Sequence, residues 1–212
     1  LKIVPQSAQL VWANPFPLQV IESAARTCYK SEDLIDPESA ERLAQKLLDR
    51  GHHAMLEHIS ASLRFVTDRG ISHEIVRHRL ASYAQESTRY CNYTKDKFGN
   101  EITVIEPQFP NGGCRDDWYA CIKKAETTYQ RLIAQGVSPQ FARSVLPTCL
   151  KTEIVVTANA REWRHILQLR LSPAAHPQMR ELMEKAQGIL HDWCPLLFPL
   201  PSDQLVERSI SP

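Results

Sequence analysis

Four stretches of this 212-residue sequence gather side chains able to do chemistry. The first is Gly51-His52-His53-Ala54-Met55-Leu56-Glu57-His58, which holds three histidines and a carboxylate. Zinc hydrolases carry His-Glu-x-x-His or His-x-x-Glu-His on one helix face. Here the histidine spacing is one residue too long, and His73-Glu74 with His78 repeats the mismatch. Positions five apart on a helix point about 140° away from each other. These histidines read better as lining a polar pocket or capping a helix than as ligands, and no metal site is expected. The second stretch is Arg77-His78-Arg79, followed by Ser82, Ser87 and Arg89. Guanidinium forks match phosphate geometry and hydroxyls add donors. The competing reading is a solvated basic turn whose arginines pair with Glu74 and Glu86.

The third stretch runs from Asn159 to Arg170. Trp163, Ile166, Leu167 and Arg170 share one helical face, so an arginine continues an apolar stripe. It either snorkels past the helix end or reaches into a ligand pocket. Arg161, Arg164, His165 and Gln168 form a second, polar face that is either solvated or turned toward a ligand or subunit. The fourth is Pro147-Thr148-Cys149. A cysteine nucleophile needs a base or an electropositive site, and an inert thiol opening a buried strand is the simpler reading. With seven glycines and neither a Rossmann nor a Walker pattern, a phosphate-bearing cofactor would have to be held by side chains.

The elements that must position these groups are legible in outline. Residues 1–12 start with a strand, and 18–29 read as a helix. A second helix takes Asp36 as N-cap, Pro37 as first residue and Gly51 as stop. Ile59, Ala61, Leu63 and Phe65 alternate as the buried face of a strand over 59–67. A short helix follows from Gly70 to Val76, then loop or short strand over 80–90 and a strand over 101–106. The spacing predicts a long helix over 116–135 with Trp118, Cys121, Ile122, Ala125, Tyr129, Leu132 and Ile133 as its stripe. A helix restarts at Ser138-Pro139 and closes before Pro147. A strand over 150–157, a helix from Asn159 to Arg170, and a last helix from Met179 to Trp193 complete the chain, with extended residues after Pro199. Few, uneven strands among helices favour α+β over a doubly wound sheet.

At 24.2 kDa the chain is expected to form a single domain over 1–212. A formal net charge of +1 excludes a global basic field, so no nucleic-acid partner is expected and any polyanion site must be a local arginine cluster. No run of about 18 apolar residues exists, so no membrane span is expected, and the start shows no signal-peptide pattern. Six scattered cysteines without a Cys-x-x-Cys pair suit a reducing, cytoplasmic compartment.

Together the second and third stretches resemble the flavin-dependent thymidylate synthases, whose signature has the form RHR-x-x-S-x-N-x-x-S-x-R. Arg77-His78-Arg79, Ser82, Ser87 and Arg89 fill its fixed positions, and Ala84 replaces the usual Asn. The His52–His58 segment and the Asn159–Arg170 helix support the likeness, with Arg143 between. The resemblance implies methylation of dUMP to dTMP, with methylenetetrahydrofolate as carbon donor and NADPH as reductant through FAD. It implies an α+β subunit with a central, mostly antiparallel sheet flanked by helices, a non-Rossmann flavin site, and a homotetramer with shared active sites. It assigns FAD contacts to His52, Ala54, Arg77, His78, Arg79, Gln85, Asn159, Ala160, Arg161 and His165. It assigns dUMP to Glu74, Arg77, Gln85, Glu86, Ser87, Thr88, Arg89, Arg143 and Arg170, with Ser87 and Arg89 at the phosphate. Arg170 would be catalytic, beside the uracil ring. Ala54 and Glu74 depart from the hydroxyl residue and the Gln common at their positions. A non-catalytic nucleotide-binding module is the alternative to the enzyme, with a metal-dependent hydrolase using the histidines ranked behind it.

Overall fold

Proline, glycine and capping residues set the element boundaries. The computed structural model describes residues 1–109 and 112–201. In chain order the elements are β1 (Lys2–Ile3), β2 (Ser7–Ala13), α1 (Pro17–Tyr29), α2 (Ser39–Asp49), β3 (Ser60–Asp68), α3 (Arg69–Ile75) and β4 (Ala81–Gln85). Then follow β5 (Thr103–Val104), α4 (Arg115–Ala134), α5 (Pro139–Ala142), β6 (Lys151–Asn159), α6 (Ala160–Arg170) and α7 (Pro177–Trp193). A 3-10 turn occupies His53–His58.

Four strands form an antiparallel sheet in the order β2-β3-β6-β4, and β1 pairs in parallel with β5. The fold is therefore α+β. Alternation is realised on β3, where Ala61, Leu63 and Phe65 are buried in line with Ile59 just before it. On β6 the buried set is Thr152, Ile154, Val156 and Ala158. The Ala160 N–H bonds the Ile59 carbonyl and the Ser62 and Thr157 hydroxyls meet at 2.7 Å, which fixes the β3–β6 register.

Several boundaries differ from expectation. The N-terminal strand is split in two at Pro5, which has no N–H to donate. The expected strand over 101–106 shrinks to β5. The Ile102 N–H goes to Glu126 Oε1 at 3.1 Å and the Ile105 N–H to the Cys149 carbonyl, so the ladder ends on both sides. Regular α2 begins at Ser39 rather than Pro37. Asp36 still closes its start, accepting from the Glu38 N–H at 2.8 Å while Ser39 Oγ accepts from the Asp36 N–H at 2.9 Å. On α4, Ile122 and Tyr129 are buried, but Cys121 is exposed and the buried Glu126 occupies the inward face. The helix from Pro139 lasts one turn and passes into a 3-10 turn at Arg143–Val145, because the residue before Pro147 is held out of the helical region. The residues after Pro199 expected to be extended lie, from 202 on, outside the described residues.

By contact density the chain divides into two compact units. One comprises Leu1–Ser7, Phe65–Arg77 and Tyr83–Val155, the other Ala8–Arg64, His78–Ser82 and Val156 onward. The first has its core in Tyr93, Ile102, Val104, Ile122, Tyr129, Ala142, Cys149 and Leu150. In the second, α6 packs on α7 and on the 3-10 turn. Trp163, Ile166 and Leu167 are buried there, as are Met179, Leu182, Met183 and Ala186. The Trp163 indole donates to the Ala61 carbonyl at 3.0 Å, which sets the rotation of α6.

Candidate active site

In the second unit the site is built from the N-terminal half of α6. Asn159 caps the helix, its Oδ1 accepting from the Glu162 N–H at 2.8 Å. With the apolar stripe turned inward, the polar face made by Arg161, Arg164, His165 and Gln168 is left to line a cleft of about 1030 Å³. His53 and Glu57 from the 3-10 turn line the same cleft. Glu57 pairs with Arg161 at 2.5 Å. Arg164 donates to the Leu197 carbonyl. Burial, together with the charges of Arg164 and Arg161, lowers the pKa of His53. Arg79 and Ser82 lie with Asn159 around a neighbouring recess of about 380 Å³. Two arginines and several neutral side-chain donors thus share the cleft wall with two glutamates and an apolar side that includes Leu80, Leu167, Leu171 and Phe198.

At the C-terminal end of α6, Arg170 is half-buried and donates through Nε to His78 Nε2 at 3.0 Å. His78 is only 6% exposed. Its other nitrogen, Nδ1, faces Glu162 Oε1 at 3.6 Å, and its ring meets His165 edge-on at 5.9 Å. Burial first, then the charges of Arg170 and His165, push the His78 pKa down to about 4. His78 is neutral at physiological pH, with the proton on Nδ1, because an arginine can only donate. His78, Glu162 and His165 present ligand atoms within 4.8 Å of one another. The guanidinium already bonded to His78 Nε2 makes the group a poor cation site.

In the first unit, α3 begins at Asp68, whose Oδ1 accepts from the Ile71 N–H at 2.7 Å. Glu74 sits half-buried on α3 and Arg77 is exposed just beyond it. The Gln85 amide donates to Ser72 Oγ at 2.8 Å and Thr152 Oγ1 at 3.2 Å. Glu86 is held by the Tyr93 hydroxyl at 2.8 Å and by Lys151 Nζ at 3.1 Å, while Arg69 donates to its carbonyl at 3.2 Å. Burial and Glu86 together push the Tyr93 pKa far up. The Ser87 carbonyl accepts from the Tyr90 and Cys91 N–H groups, closing a turn. Thr88 Oγ1 accepts from Arg143 at 3.2 Å, and Arg89 lies 5.5 Å from the Tyr90 ring centre.

Residues 9–196 match the family model for the thymidylate synthase complementing protein. The chain belongs to the flavin-dependent thymidylate synthase family. A flavin-dependent thymidylate synthase of Geobacter sulfurreducens is 31% identical over 200 residues, covering 89% of this chain and 84% of the relative. The enzyme of the same name from Thermococcus onnurineus is 33% identical over 183 residues, covering 81% and 73%. The fold is similar to that in a crystal structure of a UMP/dUMP methylase, PolB, from Streptomyces cacaoi bound with 5-Br dUMP. The TM-score is 0.76 at 23% identity, over 93% of this chain and 95% of that one.

Against the residues expected from family likeness, Asn159, Arg161 and His165 meet at the cleft, and His78 meets Arg170 and His165. His52 and Ala54 are exposed at the 3-10 turn but outside the cleft lining, where His53 and Glu57 stand instead. Ala160 is fully buried and its N–H is taken by Ile59, so it offers no surface to a ligand in this chain. The Glu86 carboxylate is committed to Tyr93 and Lys151. Cys149 is buried, which pushes its thiol up to about 11, as an inert cysteine requires. Sequence reasoning missed Glu162, Tyr93 and Lys151. Only Glu162 carried a signal, its capping-box distance from Asn159.

Proposed function

We propose that the chain is a working flavin-dependent thymidylate synthase that methylates dUMP to dTMP, using methylenetetrahydrofolate for carbon and NADPH through FAD for reduction. We assign the protein to the cytoplasm and read 1–212 as one functional domain. The observation that carries the reading is the Arg170–His78 bond: a half-buried arginine fixed by a neutral histidine, on the helix whose polar face lines the cleft.

The donor set fits FAD. The cleft lies at the top of the ~300–1,000 Å³ range of ligand pockets. Arg161, Arg164 and His165 offer donors to a pyrophosphate and an isoalloxazine edge, and Asn159 and Arg79 extend that set. When bound, the flavin carries reducing equivalents from the nicotinamide to the pyrimidine. The antiparallel sheet and the side-chain donors support a flavin site outside a Rossmann fold. Arg77, Ser87, Arg89 and Arg143 are read as holding dUMP, with Ser87 and Arg89 at its phosphate. Gln85 and Glu74 border that site. Arg170 places a fixed positive charge beside the uracil ring, which stabilises negative charge developing on N3 and the adjacent carbonyls. No enzyme thiolate is invoked.

The test is the visible spectrum of the FAD-loaded protein titrated with dUMP, followed by dUMP-dependent NADPH oxidation with methylenetetrahydrofolate. A flavin band that shifts with dUMP, and turnover to dTMP, are expected. Binding of both ligands without turnover would favour the non-catalytic module. Arg170→Ala is expected to keep FAD and lose dTMP formation by about 100-fold or more; near-normal turnover would remove its catalytic role.

A further inference from the structure

Glu162 is a buried carboxylate that the proposed chemistry leaves unused. Its side chain is 8% exposed and faces a histidine side chain that is 5% exposed. Burying a charge is unfavourable unless something compensates it. The N-terminal turn of α6 supplies part of that compensation, but it does not explain why the carboxylate is aimed at His78 Nδ1.

The orientation of the whole triad follows from donor arithmetic. Arg170 Nε–H can only donate, so His78 Nε2 must be bare to receive it at 3.0 Å. A carboxylate at Glu162 can only accept, so across the 3.6 Å contact a proton on the facing Nδ1 is the arrangement its charge favours. Free imidazole prefers its proton on Nε2. That tautomer would set two donors against each other at Arg170 and two acceptors against each other at Glu162. A doubly protonated ring would place a second cation beside the guanidinium. His165, edge-on at 5.9 Å, limits ring rotation from the remaining side.

We propose that Glu162 is a positioning residue for Arg170: its carboxylate fixes the proton of His78 on Nδ1 and so leaves Nε2 free to hold the guanidinium. The inference rests on the reading of Arg170 as the group beside the pyrimidine. It resembles the way a carboxylate orients a histidine ligand at a metal site, with the guanidinium in the metal's place.

The test uses FAD-loaded protein with ¹⁵N-labelled histidine, in which two-bond ¹H–¹⁵N correlations report the tautomer and His78→Gln identifies the signal. Wild type is expected to show Nδ1–H at His78, and Glu162→Leu to move the proton to Nε2. In parallel, kcat for dTMP formation should fall about 10- to 100-fold in Glu162→Leu, with the flavin spectrum and the KM for dUMP little changed. Glu162→Gln, whose amide oxygen can still accept the Nδ1 proton, should recover most of that loss. An Nε2–H tautomer in wild type overturns the proposal without any variant. So does a Glu162→Leu protein that keeps Nδ1–H and the wild-type kcat while Arg170→Ala is inactive. Full turnover in Arg170→Ala overturns instead the reading on which the proposal rests.

Discussion

At the residue scale, His78 converts burial into a pH dependence. Its folded pKa of about 4 lies below the 6.5 of an exposed imidazole. As pH falls below 6.5 the unfolded chain takes up this proton, whereas the folded chain does not until about pH 4. Stability is therefore intact above pH 6.5 and lost as pH falls through this window. Relative to neutral and higher pH, the loss by pH 5 is about 2 kcal/mol for this group. The lowered pKa of His53 acts in the same direction. Urea unfolding of wild type and His78→Gln from pH 7.5 to 5 checks this, and the variant should show the shallower slope; identical slopes would refute it. The cationic partner of this histidine was half legible. An arginine continuing the Trp163, Ile166 and Leu167 stripe was visibly out of place. What holds it, His78, lies 92 positions earlier, and no local pattern links the two. Glu162 stood at the capping-box distance from Asn159, but its contact with His78 was not legible for the same reason: helical spacing identifies a face, not a long-range partner.

At the element scale, caps and prolines decide where site residues sit. α3 is seven residues long, too short to persist without anchoring. Asp68 anchors it through the Ile71 N–H, and Arg69 ties its start to the Thr148 and Leu150 carbonyls. Asp68→Ala should cost about 1–2 kcal/mol, read as a fall in melting temperature. Because α3 carries Glu74 and delivers Arg77, the same change should raise KM for dUMP more than it lowers kcat. A variant with wild-type KM would show that α3 does not set the nucleotide site. The long periodic elements were legible because their signal is redundant. Residues 59–65 repeat an apolar residue four times on one face, leading into β3, and α6 shows both of its faces in full. The strand expected over 101–106 shortens to β5 because the N–H groups flanking its pairing with β1 go to partners remote in sequence, Glu126 Oε1 and the Cys149 carbonyl. The start of α2 shifted by two residues because Asp36 and Ser39 close a turn ahead of the regular helix, and that spacing leaves the first helical residue undetermined.

At the scale of the whole molecule, large apolar side chains stand exposed beside arginines in the sequence. Leu80, next to Arg79, is 74% exposed; Tyr90, next to Arg89, is 78%; Phe141, two before Arg143, is 68%. Scattered singly, such residues are ordinary; beside the arginines of the proposed site, a second copy with the symmetry that homo-oligomers favour would cover them. We therefore expect the homotetramer of four 24.2-kDa chains, about 97 kDa in solution, with each site completed by more than one subunit. Sedimentation velocity gives the mass, but subunit mixing tests the sharing. Arg89→Ala and Arg170→Ala should each be inactive alone, the first for want of a phosphate ligand and the second for want of the cation at the ring. If one site takes these arginines from different subunits, equal mixing with subunit exchange restores both to about a quarter of the sites. If every site is completed within one chain, no chain in the mixture carries both arginines and activity stays at the level of the separate variants. A rise toward a quarter of wild-type dTMP formation is the expected outcome, and a flat mixing curve after verified exchange would confine the site to a single subunit.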